Sequence, residues 1–549
     1  MRNLRRIIEE NENKNDVFGT NNDFSNDKKE NNSVFIDSKI ENNEFVLNIE
    51  NIEKIKNNTI HFETNGVIFP ELYLNKVYLD IAIKINDAFL LNLKSDKKIT
   101  REKLEDVLPE FILNSDYLKE GLSKEILDDI KQYIINNIIG FGVISTIFEI
   151  TKGGLNDVIV NTKDYIDIIY KGKTLQTPMK FRSEEELRRI IDKMLAQNNR
   201  KIDEAHPIVS SKLDDGSRVE VQIPPIAANG GSCVTIRKFN DVPLLLEMLI
   251  ETGQMDYKMA YFLSKISKGK CNIVVSGGTS SGKTTFLNAI TRFVEDSEQL
   301  MVIEDTKEMQ PQMPCHLVRS YEARMPNEEG KGAVTLDFLL RSALRSSPRR
   351  IIVGECRGPE IVVMLNAMNT GHPGSMTTVH ADNTKEALVR IENMYLEARP
   401  TANIGFIRAQ IISAVDIIIQ LVRFPDGTRK VITISEVEKR MEDNGIISLN
   451  HIFKFERDNS DLKKTKGEFK VLATPNRSIE QMNMFGVDID KQIFNPNFVM
   501  SKQMLIDVLR EDLPSKMCGW NYAFMEEFLK KDEDLFNKWP HFKEVSNVI

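Results

Sequence analysis

The stretch Gly277-Gly278-Thr279-Ser280-Ser281-Gly282-Lys283-Thr284 reads G-x-x-x-x-G-K-[ST]. It lies between an apolar run, Ile273-Val274-Val275, and a segment of helical character, Thr285-Phe286-Leu287-Asn288-Ala289-Ile290. Strand, glycine-rich turn and helix in that order predict a phosphate-binding loop. Glycines let successive backbone N–H groups turn inward around a polyphosphate, and the helix N-terminus adds partial positive charge. Lys283 is placed to reach the β- and γ-phosphates, and the Thr284 hydroxyl can ligate Mg²⁺. The expected nucleotide-binding residues are Gly277, Gly278, Thr279, Ser280, Ser281, Gly282, Lys283, Thr284 and Thr285.

Around this loop the pattern alternates. Strands are expected at Ile273–Val275, Leu300–Ile303, Ile351–Val353 and Met376–Val379, and helices at Thr284–Arg292, Leu336–Arg345, Glu360–Asn369 and Lys385–Leu396. Such alternation predicts an α/β domain whose parallel sheet is covered on both faces. Hydrolysis needs carboxylates at strand ends, one for the metal shell and one to orient water. Glu304-Asp305 follows Met301-Val302-Ile303, and Glu355 follows Ile351-Ile352-Val353-Gly354. Either alone reads equally as a solvated charge where a strand meets its loop; the two together, downstream of the loop, read as functional. His380 ends the strand Met376–Val379, where parallel-sheet sites lie. His372 is a second histidine nearby, and an isolated histidine is more often structural.

Upstream, residues 1–65 are dominated by Asn, Lys, Glu and Asp and cannot bury enough to fold alone, so a low-complexity, disordered arm is expected. Residues 66–100 form a small unassigned element, and 101–150 a helical bundle with Leu104, Val107, Leu108, Ile126, Ile130, Tyr133 and Ile134 at helical spacing. Short strands around a helix Glu184 to Gln197 predict an α+β domain at 151–239. A linker is placed at 240–256, the nucleotide-binding domain at 257–437, its C-terminal part at 438–497, and a helical tail, with Trp520 and Trp539, at 498–549.

With 549 residues and 41% hydrophobic content, several cores are expected. The net charge of -8 disfavours a non-specific nucleic-acid binder. Cys233, Cys271, Cys315, Cys356 and Cys518 are scattered without C-x-x-C spacing, so neither zinc nor a disulfide framework is favoured, and reduced thiols in a cytoplasm are the simplest expectation. No run approaches the ~18 apolar residues of a membrane span.

Four motifs in order carry a resemblance. Asn272 to Thr279, the acidic box Ile303-Glu304-Asp305-Thr306, the block Arg350 to Gly358, and Met368 to His372 with Thr378-Val379-His380-Ala381 resemble the type II/IV secretion ATPase superfamily. They are most similar to its CpaF-like branch, which drives Flp/Tad-type pili. The resemblance covers roughly residues 130–497 and reaches upstream through Gly216-Ser217-Arg218 and Thr235-Ile236-Arg237-Lys238-Phe239. It implies a RecA-like P-loop ATPase domain preceded by the smaller α+β domain and the helical bundle. It implies ATP and Mg²⁺ as cofactors, Thr284 and Glu355 at the metal (Glu355 through water), Glu304 positioning or activating the nucleophile, and His380 sensing the γ-phosphate region. Arg218 and Arg237, and less firmly Arg319 and Arg324, match arginines brought to the phosphates. It also implies a homo-hexamer on the cytoplasmic face of the inner membrane, acting on a platform protein. A nucleotide-gated scaffold with little turnover and a nucleic-acid translocase are the competing expectations.

Overall fold

In the computed structural model, Ile273–Gly277, Leu300–Glu304, Arg350–Val353 and Met376–Val379 form strands with every residue buried. Strands with no solvated face belong in the middle of a sheet covered on both sides, which their β-branched and apolar content permits. The structure describes residues 62–512, apart from short stretches at 65, 94–98, 119–121, 152, 229, 240–243, 312, 314–316, 327–329, 444, 459 and 461–463. The expected arm before residue 62, the tail beyond 512 with Trp520 and Trp539, and Cys315 and Cys518 lie outside the described residues.

We number strands in chain order: β1 Phe62–Thr64, β2 Val67–Phe69, β3 Leu155–Thr162, β4 Tyr165–Tyr170, β5 Lys173–Gln176, β6 Ile208–Lys212, β7 Arg218–Gln222, β8 Cys233–Arg237, β9 Ile273–Gly277, β10 Leu300–Glu304, β11 Val318–Glu322, β12 Arg350–Val353, β13 Met376–Val379, β14 Ile417–Arg423, β15 Arg429–Met441, β16 Ile447–Asp458 and β17 Lys466–Val471. A six-stranded sheet, β5-β4-β3-β8-β7-β6, is antiparallel throughout, with burial alternating along β4, β7 and β8 as one packed and one open face require. The helix Glu184–Ala196, capped by Ser183, packs Leu187, Ile190, Ile191 and Met194 on its closed face.

The second sheet has nine strands, β11-β10-β12-β13-β9-β14-β15-β16-β17. From β11 to β14 all pairings are parallel; β15, β16 and β17 are added antiparallel. The sheet is therefore mixed rather than purely parallel. The difference arises at Phe424–Thr428, where a tight turn sends the chain straight back instead of through a crossover helix. Alternate residues of the central strands feed two cores. Ile273, Val275, Leu300, Val302 and Ile352 meet the helices Tyr257–Lys268 and Lys283–Thr291. Val274, Met301, Ile303, Ile351 and Val353 meet Leu336–Ala343, Glu360–Asn369, Thr384–Ala398 and Ile404–Ala414.

Several sequence divisions read differently in three dimensions. Of the linker placed at 240–256, the described residues 244–256 are packed into the domain. Leu246–Glu251 is a buried helix, and its Glu247 makes a fully buried ion pair, 2.6 Å, with Arg292 at the end of the loop helix. The unbroken run Leu244-Leu245-Leu246, followed by Met248-Leu249-Ile250, is too apolar to stay solvated, and it joins the core. β15 runs through residue 437, so the sheet continues across the division placed at 437/438. The helix Lys76–Asn92 shares one core with Arg101–Leu113 and Lys124–Ile138, so the small element and the bundle pack together, while Val143–Ile150 packs under the six-stranded sheet.

Candidate functional site

The phosphate loop leaves the C-terminal end of β9 and enters the helix Lys283–Thr291. Two residues take left-handed backbone conformations, Ser280 at φ 58° and Gly282 at φ 90°. A side chain on Gly277 would meet the Leu421 carbonyl and Ser281 Oγ, each at 2.6 Å, so this position has room for glycine alone. Lys283 Nζ donates to the carbonyls of Gly277, 2.9 Å, and Gly278, 3.0 Å, and lies 3.4 Å from both ring nitrogens of His380. Burial lowers its pKa to about 8; Glu355 and Glu308 oppose that shift, and the charges of Arg357 and Arg237 add to it. Thr284 donates its hydroxyl to Glu308 Oε2 at 3.3 Å. Thr285, next in the first helical turn, is half-buried.

The carboxylates converge because β10, β12 and β13 end in register beside β9. Glu304 ends β10 and is 4% exposed. It accepts hydrogen bonds from the backbone N–H groups of Glu308 and Met309, both 3.0 Å. Burial raises its pKa to about 7 despite those bonds. Gly354, the residue after β12, leaves room for it: a Cβ there would stand 2.9 Å from Glu304 Cγ. Glu355 accepts from Arg357 Nη2 at 2.6 Å, and its Oε1 lies 3.0 Å from His380 Nε2. That Oε1 is buried and has no aligned hydrogen-bond donor. Burial pushes the Glu355 pKa up, but Arg357, His380 and Lys283 outweigh it, and the net shift is downward. His380 is held below the ordinary imidazole range by burial and by Lys283.

Arg218, on β7 of the other sheet, donates Nη2–H to the Thr306 carbonyl, 3.1 Å, and pairs with Glu308 Oε1 at 2.9 Å. A continuous polar chain thus runs from the α+β domain to the loop threonine: Arg218, Glu308, Thr284. Arg237 stands opposite Arg218 in the β7–β8 register and opposite Asp157 in β3–β8. Lys212 and Glu322 make a second link between the sheets, 3.3 Å.

Other expected residues are not brought in. His372 sits at the far end of β13, with Nδ1 3.0 Å from the Pro348 carbonyl. Arg319 and Arg324 are exposed on and beyond the outermost strand β11, separated from β9 by β10, β12 and β13, and Arg324 donates Nε–H to Gly332 O at 2.6 Å. Sequence reasoning missed Glu308, although it lies four residues past Glu304, and Arg357, two past Glu355. It also missed Arg429, whose Nε donates to the Ser280 carbonyl at 3.1 Å, and Gln420, whose Nε2 holds the Ala381 carbonyl next to His380 at 3.1 Å. The run Ile417-Ile418-Ile419 was a legible strand signal for Gln420, which follows it directly.

The donor set fits a hard divalent cation beside a nucleotide: the Thr284 hydroxyl and Glu355 Oε1, which has no aligned hydrogen-bond donor. Among the described residues no group of three or more His, Cys, Asp or Glu could hold a metal unaided, so the phosphates would supply further ligands. No helix among the described residues is long and apolar enough to cross a membrane.

Residues 144–461 match the family model described as "Type II/IV secretion system protein". A putative conjugal transfer protein of Mycobacterium tuberculosis (strain ATCC 25618 / H37Rv) is 32% identical over 304 residues, covering 54% of this chain and 84% of its own. The type IV secretion system protein VirB11 of Bartonella henselae is 30% identical over 302 residues, 48% of this chain and 82% of its own. Among solved structures, the VirB11 ATPase of the Brucella suis type IV secretion system, in complex with sulphate, matches with a TM-score of 0.30 and 26% identity, over 52% of this chain and 90% of its own.

Proposed function

The chain is an ATPase of the type II/IV secretion system protein family, and from that premise we propose that it is a cytoplasmic motor of the CpaF-like, Flp/Tad pilus branch. It works as a homo-hexamer on the inner face of the membrane, acting on a platform protein. The motifs around Glu304, Glu355 and His380 support the branch. The observation that carries the motor reading is the Arg218–Glu308–Thr284 chain, which ties the α+β domain to the loop that binds nucleotide. A change at the phosphates is then felt by the other sheet.

In this reading Lys283 leaves the Gly277 and Gly278 carbonyls for the β- and γ-phosphates. Thr284 and, through water, Glu355 would hold Mg²⁺, which would supply charge neutralisation at the phosphates. Glu304, with a pKa near neutrality, orients the attacking water and can take its proton. His380, beside both Lys283 and Glu355, senses the γ-phosphate. Arg218 and Arg237 offer fixed positive charge to the transferring group. The retained carboxylates support turnover over a nucleotide-gated scaffold, and the net charge of -8 weighs against a nucleic-acid translocase.

Phosphate release by the purified chain tests this. Lys283→Ala is expected to reduce the rate by on the order of 10²-fold or more, since it removes a positioned charge at the phosphates. Phosphate release by Lys283→Ala at the wild-type rate would overturn the assignment of this site, and strong stimulation by DNA at low salt would favour the translocase.

A further inference from the structure

We infer that Arg423 and Arg429 form an anion subsite of the nucleotide site, taking the α-phosphate at the nucleoside-bearing end of the bound nucleotide. The inference rests on the reading of Gly277–Thr284 as the nucleotide site and adds the two residues that hold the opposite end of the ligand.

The β14–β15 hairpin places Arg423 and Arg429 directly opposite one another. Like charges in that position destabilise a sheet unless something neutralises them. Neither arginine has a carboxylate within ion-pair distance among the described residues. Each instead donates to a neutral carbonyl: Arg429 Nε to Ser280 O at 3.1 Å, and Arg423 Nη2 to Gly172 O at 2.8 Å. Asp426, the acidic residue of the turn between them, accepts from Thr428 and from the Thr465 N–H. Arg429 is half-buried against the phosphate loop, its Cδ 3.2 Å from where a Cβ on Gly282 would stand. Burial, and then the neighbouring Arg423 charge, hold its guanidinium below the ordinary arginine range. A guanidinium pair with only carbonyl partners, one member partly desolvated against the loop, is an arrangement completed by an anion.

The sheet order says which part of the ligand reaches it. β9 has β13 on one side and β14 on the other. Glu304 ends β10, and Glu308, Glu355 and His380 follow β10, β12 and β13. The terminal phosphate belongs on that side, so the α-phosphate and nucleoside leave toward β14 and β15. Arg429 engages Ser280 through Nε, which leaves its two terminal nitrogens to fork onto a phosphate. Arg423 carries the contact on to the turn between β4 and β5, through Gly172.

Calorimetric titration with ADP, steady-state kinetics with ATP and nucleotide-free melting of wild type, Arg429→Gln, Arg429→Lys and Arg423→Gln test the assignment. Arg429→Gln is expected to bind ADP about tenfold more weakly and to raise KM for ATP by a similar factor, the loss of one charge-assisted contact. Its nucleotide-free melting temperature is expected to rise, because the cross-strand repulsion is gone; Arg423→Gln should do the same with a smaller affinity loss. Arg429→Lys, which keeps the charge, should bind better than Arg429→Gln and melt with wild type. A merely structural role predicts the opposite sign of the melting change. Unchanged ADP affinity in Arg429→Gln, or a nucleotide-free melting temperature below that of wild type, would overturn the subsite while leaving the nucleotide site standing. A wild-type chain that binds no nucleotide would overturn both.

Discussion

Two cross-strand arginine pairs lie within reach of the phosphate loop, one in each sheet, and they are treated differently. Arg218 and Arg237 face each other on β7 and β8. Arg218 is paired with Glu308, and Arg237 has Asp157 next to it in the ladder. Arg423 and Arg429 face each other on β14 and β15 with only carbonyls for partners. The first pair is neutralised within the chain and can be released toward a phosphate only if Glu308 lets go. The second is left charged. Under the proposed function the comparison separates two tasks: charge switched onto the reacting phosphate, and charge standing ready for the part of the nucleotide that does not react.

The sharpest way to break this comparison is kinetic. Arg218→Ala is expected to lower kcat on the order of 10²–10³-fold with little change in KM, as for loss of a donor used in the transition state. Arg429→Gln is expected to do the reverse, raising KM and sparing kcat. Equal effects of both substitutions on kcat would erase the distinction.

A smaller effect concerns Glu304, whose carboxylate holds the N–H of Glu308 and so sets where the neutralising charge stands. Its folded-state pKa of about 7 lies above the ordinary 4.5 because the group is buried. The folded chain therefore holds that proton more tightly than the unfolded one. The resulting stability is fully present below pH 4.5 and is lost as pH rises through 7. Relative to Glu304→Gln, wild type is expected to lose at most about 3 kcal/mol between those limits, from 1.36 kcal/mol per pKa unit. Denaturant melts of both chains across the range check this, and a pH-independent difference would contradict it.

The smallest effect is at Asp157. Asp157→Asn leaves Arg237 facing Arg218 with less compensation, and it is expected to cost about 1 kcal/mol of stability. The melting temperature should fall, opposite in sign to the change at Arg429. A rise on Asp157→Asn would show that the ladder carboxylate is not what makes the first pair tolerable.

Legibility in the sequence followed the range of the interactions involved. Glu304, Glu355 and His380 could be singled out because parallel strands end on one side of a sheet, so a polar residue after an apolar run points to the same edge. The geometry then brought Glu355, His380 and Lys283 into contact. Glu308 was passed over although it is close in sequence, since nothing local says that the turn after β10 folds back to bond Glu304 and turns the Glu308 carboxylate toward Thr284. Arg319 and Arg324 matched by pattern yet stand at the sheet edge within this chain. The buried helix Leu246–Glu251 was mistaken for a linker because six residues are too few to display a helical period.

By itself the sequence determined the phosphate loop and the α/β alternation around it. Both rest on short-range rules: glycine's access to left-handed backbone at Gly282, the helix that starts at Lys283, and apolar runs of strand length. Only the tertiary structure decided which charges meet across that loop. Arg218 and Glu308, or Arg429 and Ser280, are far apart along the chain and are joined by sheet order and strand register. Those depend on packing summed over two cores, which no local pattern encodes.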